Sequence, residues 1–329
     1  MPEDAVDVDM TVIGAGPVGL YAAYYAGFRG MRTAIVDSLP EPGGQISALY
    51  PEKLIYDIAG FPEVRGRDLV AGLVGQAARF APEWLLGHSA DELSRLEDGR
   101  LRITTKAGGT VTTSAIVIAG GIGTFTPRPL PAGTALLGRG LDYFVTEPDA
   151  YAGHDVLVVG GGDSALDWAL TLEPIARSVT LVHRRPQFTA HAASVTALRA
   201  SSVSVLTPHV VHALSGSDGV AGAVLKDTAS GALTELDCSR VVAALGFTAN
   251  LGPLTRWGLR IVDRHIAVDS TMWTGVDRVY AAGDITDYAG KVRLISVGFG
   301  EAALAVNNAA VAGDPAAALF PGHSTETAA

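Results

Sequence analysis

Two glycine-rich turns carry the residues best placed to do chemistry, and the strands that follow them end in opposite charges. The first, VIGAGPVG, holds Gly14, Gly16 and Gly19; the second, VVGGGDSA, holds Gly160, Gly162 and Ala165. Each turn follows an apolar run and opens a stretch of helical composition. Small residues at these spacings let a strand–turn–helix close tightly. They also let a pyrophosphate approach the unpaired N–H groups at the start of the helix. At the same offset from the first glycine of each turn, the next apolar strand ends on Asp37 in TAIVD and on His183 in TLVHRR, where Arg184 and Arg185 follow. A carboxylate suits a bare ribose diol, whereas paired guanidinium groups suit a phosphate. The spacing therefore predicts two different dinucleotides on one chain, as hydride exchange with a flavin requires.

The elements that must position these residues follow from the apolar pattern. Residues 6–13, 17–30 and 33–37 read as strand, helix and strand, a first βαβ unit. A long stretch rich in Gly, Pro and aromatics follows, then a helix over 66–81. Strands come next, with turns at Asp98-Gly99 and Gly108-Gly109, ending in the apolar run 116–121. A second βαβ unit begins at 155, with strands expected at 203–207, 210–215, 222–227 and 233–244. DRVYAAGDITD is a further strand running into a Gly-Asp turn, and 295–311 reads as a helix with a small-residue face. The expected fold is α/β: two Rossmann-like three-layer dinucleotide-binding domains, the second inserted into the first. Residues 1–122 and 248–329 would form one domain and 123–247 the other, with hinges near Gly123 and Gly246.

Composition narrows the class. The chain has 329 residues, 48% of them hydrophobic, enough for two full cores. Its formal net charge of −10 argues against nucleic acid or an anionic membrane as partner. Apolar runs are interrupted well short of a membrane span, and the acidic start is unlike a signal peptide. One cysteine, Cys238, excludes an internal disulfide and a cysteine metal cluster, which fits a reducing cytoplasm. No metal site is expected.

The motifs GAGPVG, PGGQ, LYPEKLIYDIAGFP, VGGGDSALDWA, VHRR, AAGD and GFGEAALAVNNA, in this order, resemble the thioredoxin-reductase-like flavoproteins. Within them the chain is similar to the ferredoxin–NADP⁺ reductases built on that fold. The resemblance runs over nearly the whole chain. One departure from thioredoxin reductase matters: GLDYFVTEP stands where that enzyme carries a redox-active Cys-x-x-Cys, so no dithiol relay is possible.

The resemblance implies the site residues. For FAD they are Gly14, Gly16, Val18, Gly19 and Asp37, then Gly44 and Gln45, with Tyr50 stacked on the flavin. Ala90 lies near the adenine and Phe125 near the flavin, Gly283 and Asp284 hold the ribityl chain, and His323 and Thr325 belong to a tail over the outer flavin face. For NADPH they are Gly160, Gly162, Asp163, Ser164, Ala165, His183, Arg184 and Arg185. Thr189 stands where relatives carry a third arginine, which predicts a softer preference for NADPH. The implied activity is reversible hydride transfer between NADPH and FAD, followed by one-electron transfers to ferredoxin or flavodoxin, in a homodimer. Reduction of a quinone, free flavin or small disulfide is the alternative, and a non-catalytic flavin sensor a more distant one. Because ferredoxins are acidic, docking calls for a local basic patch, with Lys53, Arg65, Arg67, Lys291 and Arg293 as candidates.

Overall fold

A computed structural model describes residues 5–323. Its contacts divide the chain into two compact units, Met1–Phe125 with Ala249–Ala329, and Thr126–Thr248. The chain thus crosses between units at 125/126 and 248/249, within short strands at Thr124–Pro127 and Phe247–Asn250.

The first unit is built on a forked sheet. Glu83–Leu86, Thr33–Asp37, Ala5–Ile13 and Thr110–Ile118 lie side by side and parallel. Thr110–Ile118 is long enough to hold two partners. Its first half pairs antiparallel with Leu101–Thr105, which continues into Ala90–Arg95, and its second half pairs parallel with Val279–Ala281. The parallel strands are buried on both faces, which is why they read as continuous apolar runs: Met10, Val12, Ile35, Ile116 and Ile118 are all essentially inaccessible. The register aligns their carboxyl ends, since Ile13 pairs with both Val36 and Ile118, and Ile118 pairs with Ala281. Gly14, Asp37, Ala119 and the Gly283 turn are therefore delivered to one edge of the sheet, where ligands bind in open α/β folds.

Helix Pro17–Phe28 starts at that edge, with Gly16 as N-cap and Pro17 in the first turn, where its missing N–H costs nothing. The helix is apolar on every side because it is covered by the sheet and by helices Gly66–Ala78 and Ile295–Gly313. Helix Ile295–Gly313 is, by length and composition, long and apolar enough to cross a membrane. Here its Gly298, Ala302, Ala305, Val306 and Ala309 face is buried, and the helix packs on Thr110–Ile118 and Pro17–Phe28.

The second unit repeats the plan. Its five parallel strands run in the order Leu141–Asp142, Arg240–Ala243, Asp155–Val159, Ser178–Val182, Ser204–Leu206, joined by helices Asp163–Leu172 and Ala192–Ala200. Val159 pairs with both Val182 and Ala243, so Gly160, His183 and Ala244 share an edge. The strand expected over 233–244 is two strands. Leu233–Leu236 closes a three-stranded antiparallel sheet and is largely exposed, whereas Arg240–Ala243 lies inside the parallel sheet. The turn through Asp237, Cys238 and Ser239 carries the chain from one sheet to the other. The Gly/Pro-rich stretch after the second strand also has structure of its own, helix Gln45–Leu49 and a small pairing of Leu54–Ile55 with Val64–Arg65.

Candidate functional site

The carboxyl edge of the first sheet opens into a cavity of about 230 Å³, lined by both ends of the glycine turn, by Asp37, by Gln45 and Tyr50, and by Gly283 and Asp284. The three glycines of the turn have separate reasons to be there. A Cβ on Gly14 would sit 2.5 Å from the Ala119 carbonyl oxygen, and its φ of +105° is rarely open to other residues. A Cβ on Gly19 would sit 1.8 Å from the Gly14 carbonyl oxygen, so this glycine lets the helix rest on the turn. A Cβ on Gly16, in contrast, would come no closer than 4.0 Å, to Gly44 Cα, among the described residues beyond its chain neighbours. Nothing within the fold requires glycine at 16; its missing side chain leaves room at the helix start on the cavity side.

Asp37 is placed by the strand end and tied down by two backbone donors. Ala15 N–H donates to Oδ2 at 2.5 Å and Leu39 N–H to Oδ1 at 2.8 Å. A carboxylate offers about four acceptor positions, so roughly two stay open for a pair of hydroxyls. Burial pushes the Asp37 carboxyl above the usual range, with the two N–H donors pulling the other way. Among the described residues lining the cavity there is no lysine or arginine. A diphosphate held here must rely on N–H groups at the helix start, and a ribose phosphate beside Asp37 would meet a negative charge. These residues fit a dinucleotide with an unmodified ribose.

The PGGQ loop closes one side. Gly43 N–H donates to the Ala15 carbonyl at 2.7 Å, and Gly44, at φ +59°, brings its backbone against Gly16. Gln45 begins the short helix and reaches Gly121, where Nε2 is 3.0 Å from the place a Cβ would occupy. Tyr50 is half-buried at the helix end. Burial, with Asp284 and Asp57 nearby, pushes its phenol up to about 12, so it is a neutral ring at working pH. Val18 lies between Gly283 and Gly298, since a Cβ on either would come within 3.2 Å of its Cγ2. It thereby docks the first helix on the Gly283 turn. Burial raises the Asp284 carboxyl, opposed by Lys291, Arg293 and His265.

The second turn has the same internal logic. A Cβ on Gly160 would lie 2.4 Å from the Ala244 carbonyl oxygen and 2.7 Å from the Ala165 methyl. Ala165 can thus carry its methyl because Gly160 carries none. Gly162 caps helix Asp163–Leu172, and Ser164 is exposed in its first turn. Residues 183–191 fold back over the turn: Thr189 N–H and Oγ1 both donate to the Gly161 carbonyl, at 2.8 and 3.1 Å, and His191 N–H donates to Asp163 Oδ1 at 2.8 Å. Arg184 and Arg185 are exposed and, among the described residues, form no ion pair. His183 differs from its neighbours. Its ring stacks on Phe188 with centroids 5.5 Å apart, beside Gly161, and its buried Nε2 has no hydrogen-bond partner among the described residues. Burial lowers its pKa, a backbone hydrogen bond to Gln187 pulls the other way, and the two arginines add to the lowering.

Several expected residues fall elsewhere than the sequence suggests. His323 packs edge-on against Phe320, at 5.1 Å, and is not among the residues lining its own chain's cavity. Thr325 lies outside the described residues. Phe125 falls in the strand Thr124–Pro127, with its side chain outside what is described. Ala90 lines the cavity together with His88, Ser89 and Leu39, none of which the motifs point to. These last residues arrive through backbone contacts, Gly87 and His88 N–H donating to the Leu39 and Asp37 carbonyls, and such pairings carry no residue-type signal. Lys291, offered above as part of a basic docking patch, has a side chain only 2% exposed and is paired with Glu301. Arg65 and Arg67 both bond Glu52, at 2.8 Å. The single thiol is inert: burial, with Asp155 and Asp237 nearby, pushes Cys238 up to about 11.

Two dinucleotide-type turns on two such sheets define a class of nucleotide-dependent oxidoreductase. The model of the pyridine nucleotide-disulphide oxidoreductases matches residues 8–309, and the chain belongs to that family. Among curated relatives, a protein of Frankia alni named ferredoxin–NADP reductase is 62% identical over 96% of this chain and 98% of its own. Proteins of the same name from Salinispora tropica and Thermus thermophilus are 60% and 47% identical, each over at least 97% of both chains. Among solved structures, T. acidophilum thioredoxin reductase is similar with a TM-score of 0.79 at 25% identity, covering 94% of this chain and 99% of that one. The thioredoxin reductase of Lactococcus lactis shares the fold, with a TM-score of 0.78 over 93% of this chain and 99% of that one.

Proposed function

We propose that this chain is an FAD-dependent ferredoxin–NADP reductase, with FAD in the first unit and NADPH in the second. The unequal strand ends carry the reading: at the first turn a half-buried carboxylate in a wall that holds no lysine or arginine among the described residues, and at the second two exposed arginines that form no ion pair among the described residues. When bound, FAD supplies the exchange between a hydride donor and a one-electron carrier. The chain's own residues bind and orient. The turn Gly14–Gly19 offers N–H groups to a diphosphate, Asp37 accepts from a ribose diol, Asp284 accepts from hydroxyls further along, and Tyr50 offers a neutral aromatic face. In the second unit the helix start at Gly162 and Asp163, with Ser164, faces a diphosphate, and Arg184 and Arg185 take the ribose phosphate. With Cys238 buried and its thiol high, no protein thiol serves as a relay, so the electrons leave to an external carrier.

The names of the relatives support ferredoxin as that carrier, and flavodoxin would serve the same chemistry. We further propose a homodimer in the cytoplasm. A tail over the flavin would come from a second copy, since His323 does not line its own chain's cavity. Sedimentation that gives a monomer at micromolar concentration would remove this part. The test of the whole is anaerobic turnover of the yellow protein with NADPH against NADH and with ferredoxin against a quinone. Ferredoxin reduction driven by NADPH is expected; quinone reduction alone would overturn it.

A further inference from the structure

Lys291 and Glu301 form a buried ion pair, with side chains 2% and 4% exposed and Nζ 2.5 Å from Oε1. Taking two such charges from water costs several kcal/mol per ion, offset only where geometry is tight and the remaining donors and acceptors are satisfied. Here the geometry is tight and most of the remaining donors and acceptors are satisfied. Glu301 Oε1 also accepts from Tyr288 Oη at 2.6 Å, and Oε2 accepts from Gly283 N–H at 2.7 Å. Lys291 Nζ also donates to the Gly283 carbonyl at 3.0 Å. The anion thus holds the N–H of Gly283 and the cation holds its carbonyl.

Gly283 is a residue worth holding. Its φ of +83° is left-handed, and Val18 sits 3.2 Å from where a Cβ would be. The Thr286 N–H and Oγ1 also donate to its carbonyl, at 3.0 and 2.8 Å. Gly283 and Asp284 both line the cavity. Apolar packing could support the turn without charges, often at lower cost. What a charged pair adds is an electrostatic field at the cavity wall, in a medium where charges act over longer distances than in water.

We propose that Lys291 and Glu301 are positioning residues that lock the Gly283–Asp284 turn against the bound flavin and set its electron affinity through their buried charges. The inference rests on the reading of this cavity as the FAD site. Removing one charge leaves the other uncompensated, so the two single variants should act with opposite sign. Uncompensated Glu301, still held by Gly283 N–H and Tyr288 Oη, disfavours added electrons on the ring; uncompensated Lys291 favours them.

The test is spectroelectrochemical titration of the purified full-length flavoprotein in Lys291→Met, Lys291→Arg, Glu301→Gln and wild-type forms. NADPH binding by the second unit and far-UV circular dichroism check the fold. The flavin midpoint potential should fall in Lys291→Met, rise in Glu301→Gln and stay near wild type in Lys291→Arg, with FAD released at least tenfold faster in the first two. If Glu301→Gln does not fold, the two lysine variants decide alone. Potentials that do not move, or that move the same way in Lys291→Met and Glu301→Gln while FAD stays bound, overturn the proposal. A wild-type protein that binds no FAD would instead overturn the reading of the cavity.

Discussion

Gly16→Ala separates a glycine kept for a ligand from one kept for the fold. Among the described residues beyond its chain neighbours, the added methyl would meet no atom nearer than 4.0 Å, and Gly16 has a φ of −71° that alanine adopts freely. Alanine is a clearly poorer N-cap than glycine, by up to about 1 kcal/mol, but it stabilises by about 0.4–1 kcal/mol through the lower entropy of the unfolded chain. The two effects nearly cancel, and the FAD-free protein should unfold within about 3 °C of wild type. Affinity should change far more. Displacing a diphosphate oxygen from one backbone N–H forfeits a charge-assisted hydrogen bond of about 1.5–3 kcal/mol, roughly a ten- to hundredfold weaker Kd. Gly19→Ala is the control with the opposite character. Its methyl would lie 1.8 Å from a backbone oxygen that cannot rotate aside, so about 3 kcal/mol or more of stability should be lost, even without FAD. The assay is thermal unfolding of FAD-free and FAD-saturated protein, together with FAD titration followed by flavin fluorescence. FAD binding in Gly16→Ala at wild-type strength would refute the argument that this space is reserved for a ligand.

Other outcomes follow from the same geometry. Arg184→Ala and Arg185→Ala should each raise the KM for NADPH by roughly ten- to a hundredfold while leaving NADH kinetics nearly unchanged, because each removes a charge-assisted bond to the ribose phosphate alone. Asp284→Asn should raise the Tm of the FAD-free protein at neutral pH by a few degrees. The folded carboxyl titrates above its unfolded value, so its contribution is complete below the unfolded pKa of about 3.9 and is lost as pH rises through the folded one. The gain should vanish below about pH 4, and a melting series across pH in wild type and variant checks the sign. Iodoacetamide at pH 8 should leave Cys238 unmodified and turnover intact, since the thiol is buried and titrates at about 11; mass spectrometry reads the result.

Much of this site was legible because its parts are local. A strand, a turn and a helix are contiguous, so Gly14, Gly16, Gly19 and Asp37 announce themselves by spacing, as do Gly160, Gly162 and the HRR strand end. What stayed hidden depends on distant contacts. Residues 88 and 89 enter the cavity because the strand before them, Glu83–Leu86, sits beside Thr33–Asp37, and backbone bonds rather than residue types bring them there. Lys291 read as a surface charge because one sequence does not display burial. The available signal was its partner, Glu301, an acid set within the otherwise small and apolar GFGEAALAV helix. The split of 233–244 was hidden for a similar reason, since two short strands in different sheets can share one alternating pattern.

Stopped-flow absorbance tests the central claim most directly: NADPH mixed anaerobically with the purified yellow protein, then with oxidised ferredoxin. Flavin bleaching by NADPH at low concentration is expected, with weaker bleaching by NADH, and recovery of the flavin band as ferredoxin is reduced without any added thiol. A flavin that NADPH does not bleach, or one that bleaches but passes no electrons to ferredoxin, would contradict it.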